Sequence, residues 1–117
     1  MATTREILIR AREIIARPGA WLQGHLATNS FGDVRCPTAD NRDTLTCFCA
    51  LGAVDAACID LTGSGGGTCA ADLTLSRALS ALDAAFVGNV PAFNDAEGRT
   101  QEEVVALFDR AIKMTKE

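Results

Sequence analysis

The sequence predicts a mainly α-helical fold of four helices in a single domain, with a short β-hairpin or irregular loop after the first helix. Hydrophobic residues make up 48% of the chain but aromatic residues only 5%, which favours helices packed through small side chains. Four segments carry apolar residues at helical spacing. A chain of 117 residues can bury one hydrophobic core, so we expect residues 1–117 to form one domain.

The first helix is predicted for the segment TTREILIRAREIIARPG. Thr3 and Glu6 have the spacing of a capping box, apolar residues follow at helical spacing, and Pro18 should end the helix. The next stretch, AWLQGHLATNSFGDVRCP, alternates imperfectly around a turn-rich centre and predicts a short hairpin whose first arm Gly24 interrupts. A polar loop is expected over residues 37–44.

Three further helices are predicted along the rest of the chain. An apolar stripe indicates a helix from about Thr46 to Asp60, and a glycine-rich connection follows it. The next helix is expected over residues 72–87, and the segment VPAFNDAEGR is expected to be a loop. The last helix should begin after Thr100, which has capping-box spacing to Glu103.

The charge distribution excludes some classes of partner. A net charge of −4 argues against a protein that neutralises nucleic-acid phosphates. Residues 1–49 carry six Arg against five acids, a net of +1, whereas residues 50–117 carry five bases against ten acids, a net of −5. An anion site would therefore belong to the first half.

The same sequence features bear on location. Charged residues interrupt the apolar N-terminal run, so we expect neither a signal peptide nor a membrane partner. An odd count of five cysteines fits a reducing compartment, and we expect a cytoplasmic protein.

The stretch LTCFCALGAVDAAC holds three cysteines, whose expected role is packing, with no metal and no cofactor. In a helix, Cys47 and Cys49 would point to opposite sides, and Cys47 and Cys58 would lie about 16 Å apart, beyond disulfide reach. Two alternatives stay open. A nucleophilic Cys49 is conceivable, because a helix N-terminus lowers the pKa of a thiol. A structural zinc could join residues from separate loops, namely His25, Cys36 and one or two of Cys47, Cys49 and Cys69.

Polar residues of two distant loops are the candidates for one binding pocket. Trp21 would supply a stacking face and the arginines an anion clamp. The competing interpretation makes Trp21 a core residue, His25 a surface residue, and Asn94 and Asp95 turn-forming residues. The candidate ligand-binding residues are Trp21, Gln23, His25, Arg35, Asn94, Asp95 and Arg99.

Three sequence blocks span nearly the whole chain: ARPGAWLQGHLA, CALGAVDAA and FNDAEGRTQEEVVALFDRAI. In this order they resemble a family of small uncharacterised bacterial and phage-associated proteins, a domain of unknown function. That family usually has a Trp before Cys-Ala-Leu-Gly, where this chain has Phe48 and Cys49. The resemblance implies a complete, self-contained protein, and it implies no activity, cofactor or catalytic residue.

Two classes of function follow from these observations. The first is a non-enzymatic recognition module that binds a small anionic ligand or a protein partner, with an accessory inhibitor of phage or host as one form. We prefer it because the chain has capped helices and polar loops but no catalytic pattern of residues. The alternative is a thiol- or metal-dependent enzyme or sensor that uses His25 and the cysteines. The oligomeric state is not predicted.

Overall fold

The fold is mainly helical with one small antiparallel sheet, as seen in a computed structural model that describes residues 3–63, 73–85 and 90–115. The sheet has three strands, of which the sequence predicted only a hairpin. The described helices are α1 (Thr4–Ile15), α2 (Ala50–Thr62), α3 (Leu73–Ala84), α4 (Val90–Asp95) and α5 (Gln101–Met114). The strands are β1 (Ala27–Asn29), β2 (Val34–Arg35) and β3 (Leu45–Phe48), with a 3-10 turn at Arg42–Thr44 before β3.

Both predicted capping boxes are confirmed. At the start of α1, the Thr3 hydroxyl accepts from the Glu6 amide at 3.1 Å and the Thr3 amide donates to the Glu6 carboxylate at 2.9 Å. Thr100 and Glu103 repeat this pair at the start of α5, with distances of 3.2 and 2.9 Å. Each box satisfies two amides that a helix N-terminus leaves without partners.

The second helix begins four residues later than predicted. Residues 45–48 form strand β3, and Cys49 is the N-cap of α2. β3 has hydrogen-bonded neighbours on both sides, with β1 on one side and the segment 20–22 on the other. Phe48 donates to the Ala20 carbonyl at 2.7 Å and accepts from the Leu22 amide at 3.0 Å. These hydrogen bonds outweigh the helical spacing of the apolar residues, which had predicted a helix from about Thr46.

The predictions for residues 72–99 are confirmed only in part. The segment VPAFNDAEGR was expected to be a loop, but its first half is the short helix α4. Pro91 is compatible with this helix because an amide in the first turn needs no helical acceptor. The predicted N-cap Asp72 and the last residues of the third helix lie outside the described residues, whereas its central part is confirmed as α3.

The predicted hairpin is confirmed, although its strands are short. β1 and β2 pair antiparallel with Ala27 opposite Arg35. The Asn29 side chain organises the tip, because its Oδ1 accepts from the amides of Phe31 at 2.9 Å and Asp33 at 3.0 Å. Gly32 completes the turn with a φ of 82°, a conformation that favours glycine.

The core lies where α1 and α2 pack together, with α3, α5 and β3 around them. α2 is buried along nearly its whole length, and its four Ala and one Gly allow neighbouring elements to approach closely. Its end is held by Asp60, whose carboxylate accepts from Arg10 of α1 and from Arg42 of the 3-10 turn. Within the described residues, no helix combines the length and apolarity required to cross a membrane.

Candidate functional site

Asn94 is the centre of a polar junction between two distant segments. Its side chain is fully buried. Its Oδ1 accepts from the Trp21 indole at 2.7 Å and from the Ala50 amide at 2.9 Å, and its Nδ2 donates to the Leu22 carbonyl at 3.0 Å. One side chain thus joins the chain before β1, the N-terminus of α2 and the end of α4.

The residues beside Trp21 and Asn94 extend this junction. Gln23 donates to the carbonyls of Asn94 at 2.9 Å and Ala96 at 3.0 Å. The Gly24 amide donates to the Asp95 carboxylate at 2.9 Å, and that same oxygen accepts from Asn94 Nδ2. The two predicted loops therefore meet, but they meet by bonding to each other.

The described contacts favour the structural interpretation of Trp21. The ring is partly buried against the core, and its N–H is used by Asn94. A partly buried indole whose N–H has a partner is typical of a packing residue that is also held by a hydrogen bond. An open stacking face for a ligand has no support from these contacts.

Both predicted arginines have partners within the chain. Arg99 donates to the Phe93 carbonyl at 2.9 Å, lies over the Phe93 ring at 3.8 Å, and pairs with Glu103 at 3.2 Å. Arg35 is on β2, where it bonds to the Val34 carbonyl at 2.7 Å and lies 3.6 Å from Asp33. Arg35 is not among the residues that form the junction.

His25 is exposed and lies at a small pocket of about 160 Å³ beside this junction. The pocket is lined by one His, one Cys and one Asp from three parts of the chain. Its lining residues are Gly24, His25, Leu26, Cys49, Leu51, Pro91 and Asp95. Sequence reasoning combined His25 with Cys49 only as ligands of a possible zinc site or as parts of the thiol- or metal-dependent alternative, and it did not predict this pocket.

Cys49 is both a capping residue and a wall of this pocket. Its Sγ accepts from the Gly52 amide at 3.3 Å, and its own amide donates to the Leu26 carbonyl at 3.1 Å. Burial raises the pKa of the Cys49 thiol, and the nearby Asp95 carboxylate adds to the rise. The thiol is therefore protonated at neutral pH, which differs from the lowered pKa considered for a helix N-terminus.

The other cysteines have simpler surroundings. Cys47 lies on β3, not on a helix as predicted, and its thiol donates to the Gly19 carbonyl at 3.2 Å. Cys58 is buried in the core, as the packing interpretation requires, and Cys36 is exposed. Cys69 lies outside the described residues. Among the residues that are described, no three His, Cys, Asp or Glu side chains are grouped to hold a metal ion.

A second, larger cavity of about 420 Å³ lies between the end of α1 and the first half of α5. Its lining includes the apolar Pro18 and Val105 and the carboxylates of Glu102 and Asp109. Asp109 is already paired with Arg12. This groove has mixed character and no concentration of unpaired charge.

Within the described part of the chain, the β1–β2 hairpin presents the most exposed large apolar side chain. Phe31 leaves 88% of its surface exposed, compared with 51% for Met114 and 48% for Val34. Phe31 was not among the predicted site residues. The turn signal around TNSFGD could have indicated it, because a residue at the tip of a two-stranded turn has few neighbours to bury it.

Comparison with known proteins identifies a family. The sequence model of DUF6197, a family of unknown function, matches residues 1–114, and the chain belongs to that family. The predicted membership of a family of unknown function is thereby confirmed. Neither the curated proteins nor the solved structures contain a significant match to the chain.

Proposed function

We propose that this member of DUF6197 is a non-enzymatic recognition module whose partner is a protein and whose contact is made by the β1–β2 hairpin. The observation that carries this proposal is the exposure of Phe31 at the tip of an ordered turn. A large aromatic side chain on a rigid support is typical of the anchors that dominate protein interfaces. An accessory inhibitor would act through such a contact.

The chemistry of the hairpin favours a partner with a pocket for its side chains over a partner that adds a strand to the sheet. Since β1 pairs with β2 on one side and with β3 on the other, β2 is an edge strand of the sheet. The Arg35 guanidinium bonds to the Val34 carbonyl at 2.7 Å, so part of that edge is already occupied. Charged side chains at an edge oppose the addition of another strand. A partner pocket for Phe31 and Val34 is therefore more favourable than strand pairing.

A protein partner has more support than a small anion. The guanidinium groups of Arg35 and Arg99 both have partners in the chain, and the amides of Gln23 and Gly24 are bonded to the opposite segment. An anion would compete with these bonds for the same donor groups. Binding of a protein at Phe31 requires no rearrangement of the junction.

Photo-crosslinking in cells of the native organism tests this proposal. A benzoylphenylalanine at position 31 should give one discrete crosslinked protein, whereas the same probe at Met114 should not. Met114 is the matched control because it is an exposed hydrophobic residue at the end of α5. Excess unlabelled chain should compete with the crosslink, and Phe31→Ser chain with an unchanged melting temperature should not. Equal competition by both chains would refute the hairpin as the contact.

A further inference from the structure

We propose that two copies of this chain associate through the outer face of α1 and α5, with α5 of one copy antiparallel to α5 of the other. This face is self-complementary in charge and in shape. An interface between identical copies requires that property, because a two-fold axis brings the two ends of one surface together. The association goes beyond the proposed recognition function and does not depend on it.

The face is formed by two helices that run antiparallel within one chain. Near the start of α1, the Arg5 guanidinium donates to the Ile112 carbonyl in the last turn of α5 at 2.9 Å. Near the end of α1, the Ile15 carbonyl accepts from the Gln101 side chain, in the first turn of α5, at 2.8 Å. Each level of α1 therefore has a known counterpart on α5.

The outer stripe of α5 carries opposite charges at its two ends. Four exposed residues share this stripe at helical spacing, namely Glu102, Ala106, Asp109 and Lys113. Among the described residues, neither Glu102 nor Lys113 belongs to an ion pair. When two copies of α5 pack antiparallel, Glu102 of each copy lies opposite Lys113 of the other. The small side chain of Ala106 allows the two helices to approach closely.

The apolar parts of the face are complementary as well. The cavity of about 420 Å³ lies at one end, where Pro18 and Val105 line it. Ile9 projects at the other end, with 39% of its surface exposed. It lies on the α5 side of α1, because Arg5 and Arg12, about one turn before and after it, both bond to α5. One end of the face thus supplies an apolar side chain and the other end supplies a site for it.

A single two-fold axis satisfies both sets of contacts. The midpoint of the two charged ends of α5 lies between positions 107 and 108. The pairing of Arg12 with Asp109 puts that level about one residue beyond Arg12 on α1. A second copy centred there places Ile9 opposite Ala16 and Pro18, which line the cavity. This agreement favours a second copy over an unrelated partner or a small ligand.

Analytical ultracentrifugation of the full chain tests the proposal. The wild-type chain should form a dimer whose fraction rises with concentration. Glu102→Lys and Lys113→Glu should each weaken the dimer by about tenfold or more, because each reversal places like charges opposite each other at both ends. Mixing the two variants should restore the dimer, since every charged contact in the mixed pair joins an acid to a base. A merely structural role of either residue would give no such rescue.

Met114→Ser is the matched control. Met114 follows Arg110, which donates to the Ala85 carbonyl at the end of α3 at 3.0 Å, so this exposed residue lies on the other flank of α5. Its replacement should leave the dimer unchanged. Ile9→Lys should dissociate the dimer and preserve the circular dichroism spectrum, and it keeps the test decisive if a charge reversal fails to fold.

The contrary outcomes are equally defined. A wild-type chain that stays monomeric up to about 1 mM would overturn the proposal. A dimer that tolerates both charge reversals or Ile9→Lys would have its interface elsewhere, and would overturn it as well. The same conclusion would follow if folded Glu102→Lys and Lys113→Glu chains failed to associate on mixing.

Discussion

At the residue scale, the buried side-chain amide of Asn94 connects polar groups of two other segments of the chain. Its amide group has partners on Trp21, Leu22 and Ala50, and each partner comes from a segment that would otherwise present an unpaired polar group. Buried polar groups are costly when they are unpaired, so the junction depends on this side chain. The short helix α4 serves to place it.

We expect Asn94→Ala to reduce the free energy of unfolding by about 3 kcal/mol, because it leaves the Trp21 N–H, the Ala50 amide and the Leu22 carbonyl without partners. Trp21→Phe removes a single one of these bonds and should cost about 1 kcal/mol. Urea unfolding of the two variants measures the difference. Equal losses in both would show that the indole contact, and not the amide centre, holds the junction.

At the scale of elements, α2 depends on a glycine for its position. A Cβ at Gly52 would lie 1.9 Å from the Leu26 carbonyl oxygen, which is backbone and cannot move aside alone. That same carbonyl accepts from the Cys49 amide. The close approach of the chain before β1 to the first turn of α2 is therefore possible only with glycine at this position.

We expect Gly52→Ala to destabilise the protein by about 3 kcal/mol, although the same substitution inside an ordinary helix gains up to about 1 kcal/mol. The sign of the effect is therefore diagnostic. Thermal or urea unfolding would show it directly. A neutral or stabilising result would mean that Leu26 does not approach α2 as closely as the structure shows.

The sequence anticipated elements with strong local signals. Both capping boxes and the turn around Gly32 depend on residues within four positions of each other, and all three were predicted. The start of α2 was not, because residues 45–48 fit a helical stripe equally well. Only pairing with β1, whose partner residues lie about 20 positions earlier, decides for a strand.

The candidate site, like the fold, was predicted only in part from the sequence. The meeting of the segments around Trp21 and Asn94 was expected, but residue types alone could not show that their polar groups bond to each other. His25 and Cys49 were combined only in the zinc and thiol alternatives, because they are far apart in sequence. The fold joins them through Leu26, a residue with no chemical signal of its own.

At the scale of the whole molecule, two of the buried polar residues, Asn94 and Asp55, have different roles. Asn94 is fully bonded, and its role is architectural. Asp55, on α2, is only 5% exposed, and burial raises its pKa to about 6 from the ordinary 3.8. A carboxyl in such a place favours the neutral form. Asp55 therefore links the stability of the whole fold to pH.

The sign of this linkage follows from the direction of the shift. Below the unfolded pKa of 3.8, Asp55 is protonated in both states and costs nothing as an ion. Between that value and about 6, the folded chain holds the proton more tightly, so stability falls as pH rises. Above about 6 the carboxylate is ionised in both states, and the full cost of burying its charge remains.

We therefore expect Asp55→Asn to stabilise the protein at about pH 8 by on the order of 2 kcal/mol, because the amide has nearly the same shape and carries no charge. The gain should shrink as pH falls and disappear near pH 4, where the native side chain is itself neutral. Urea unfolding of both chains across this range measures the gain at each pH. Asp40→Asn is the matched control, since it makes the same substitution at an exposed position. A gain that stayed constant with pH would show that the amide improves packing and that ionisation of Asp55 does not limit stability.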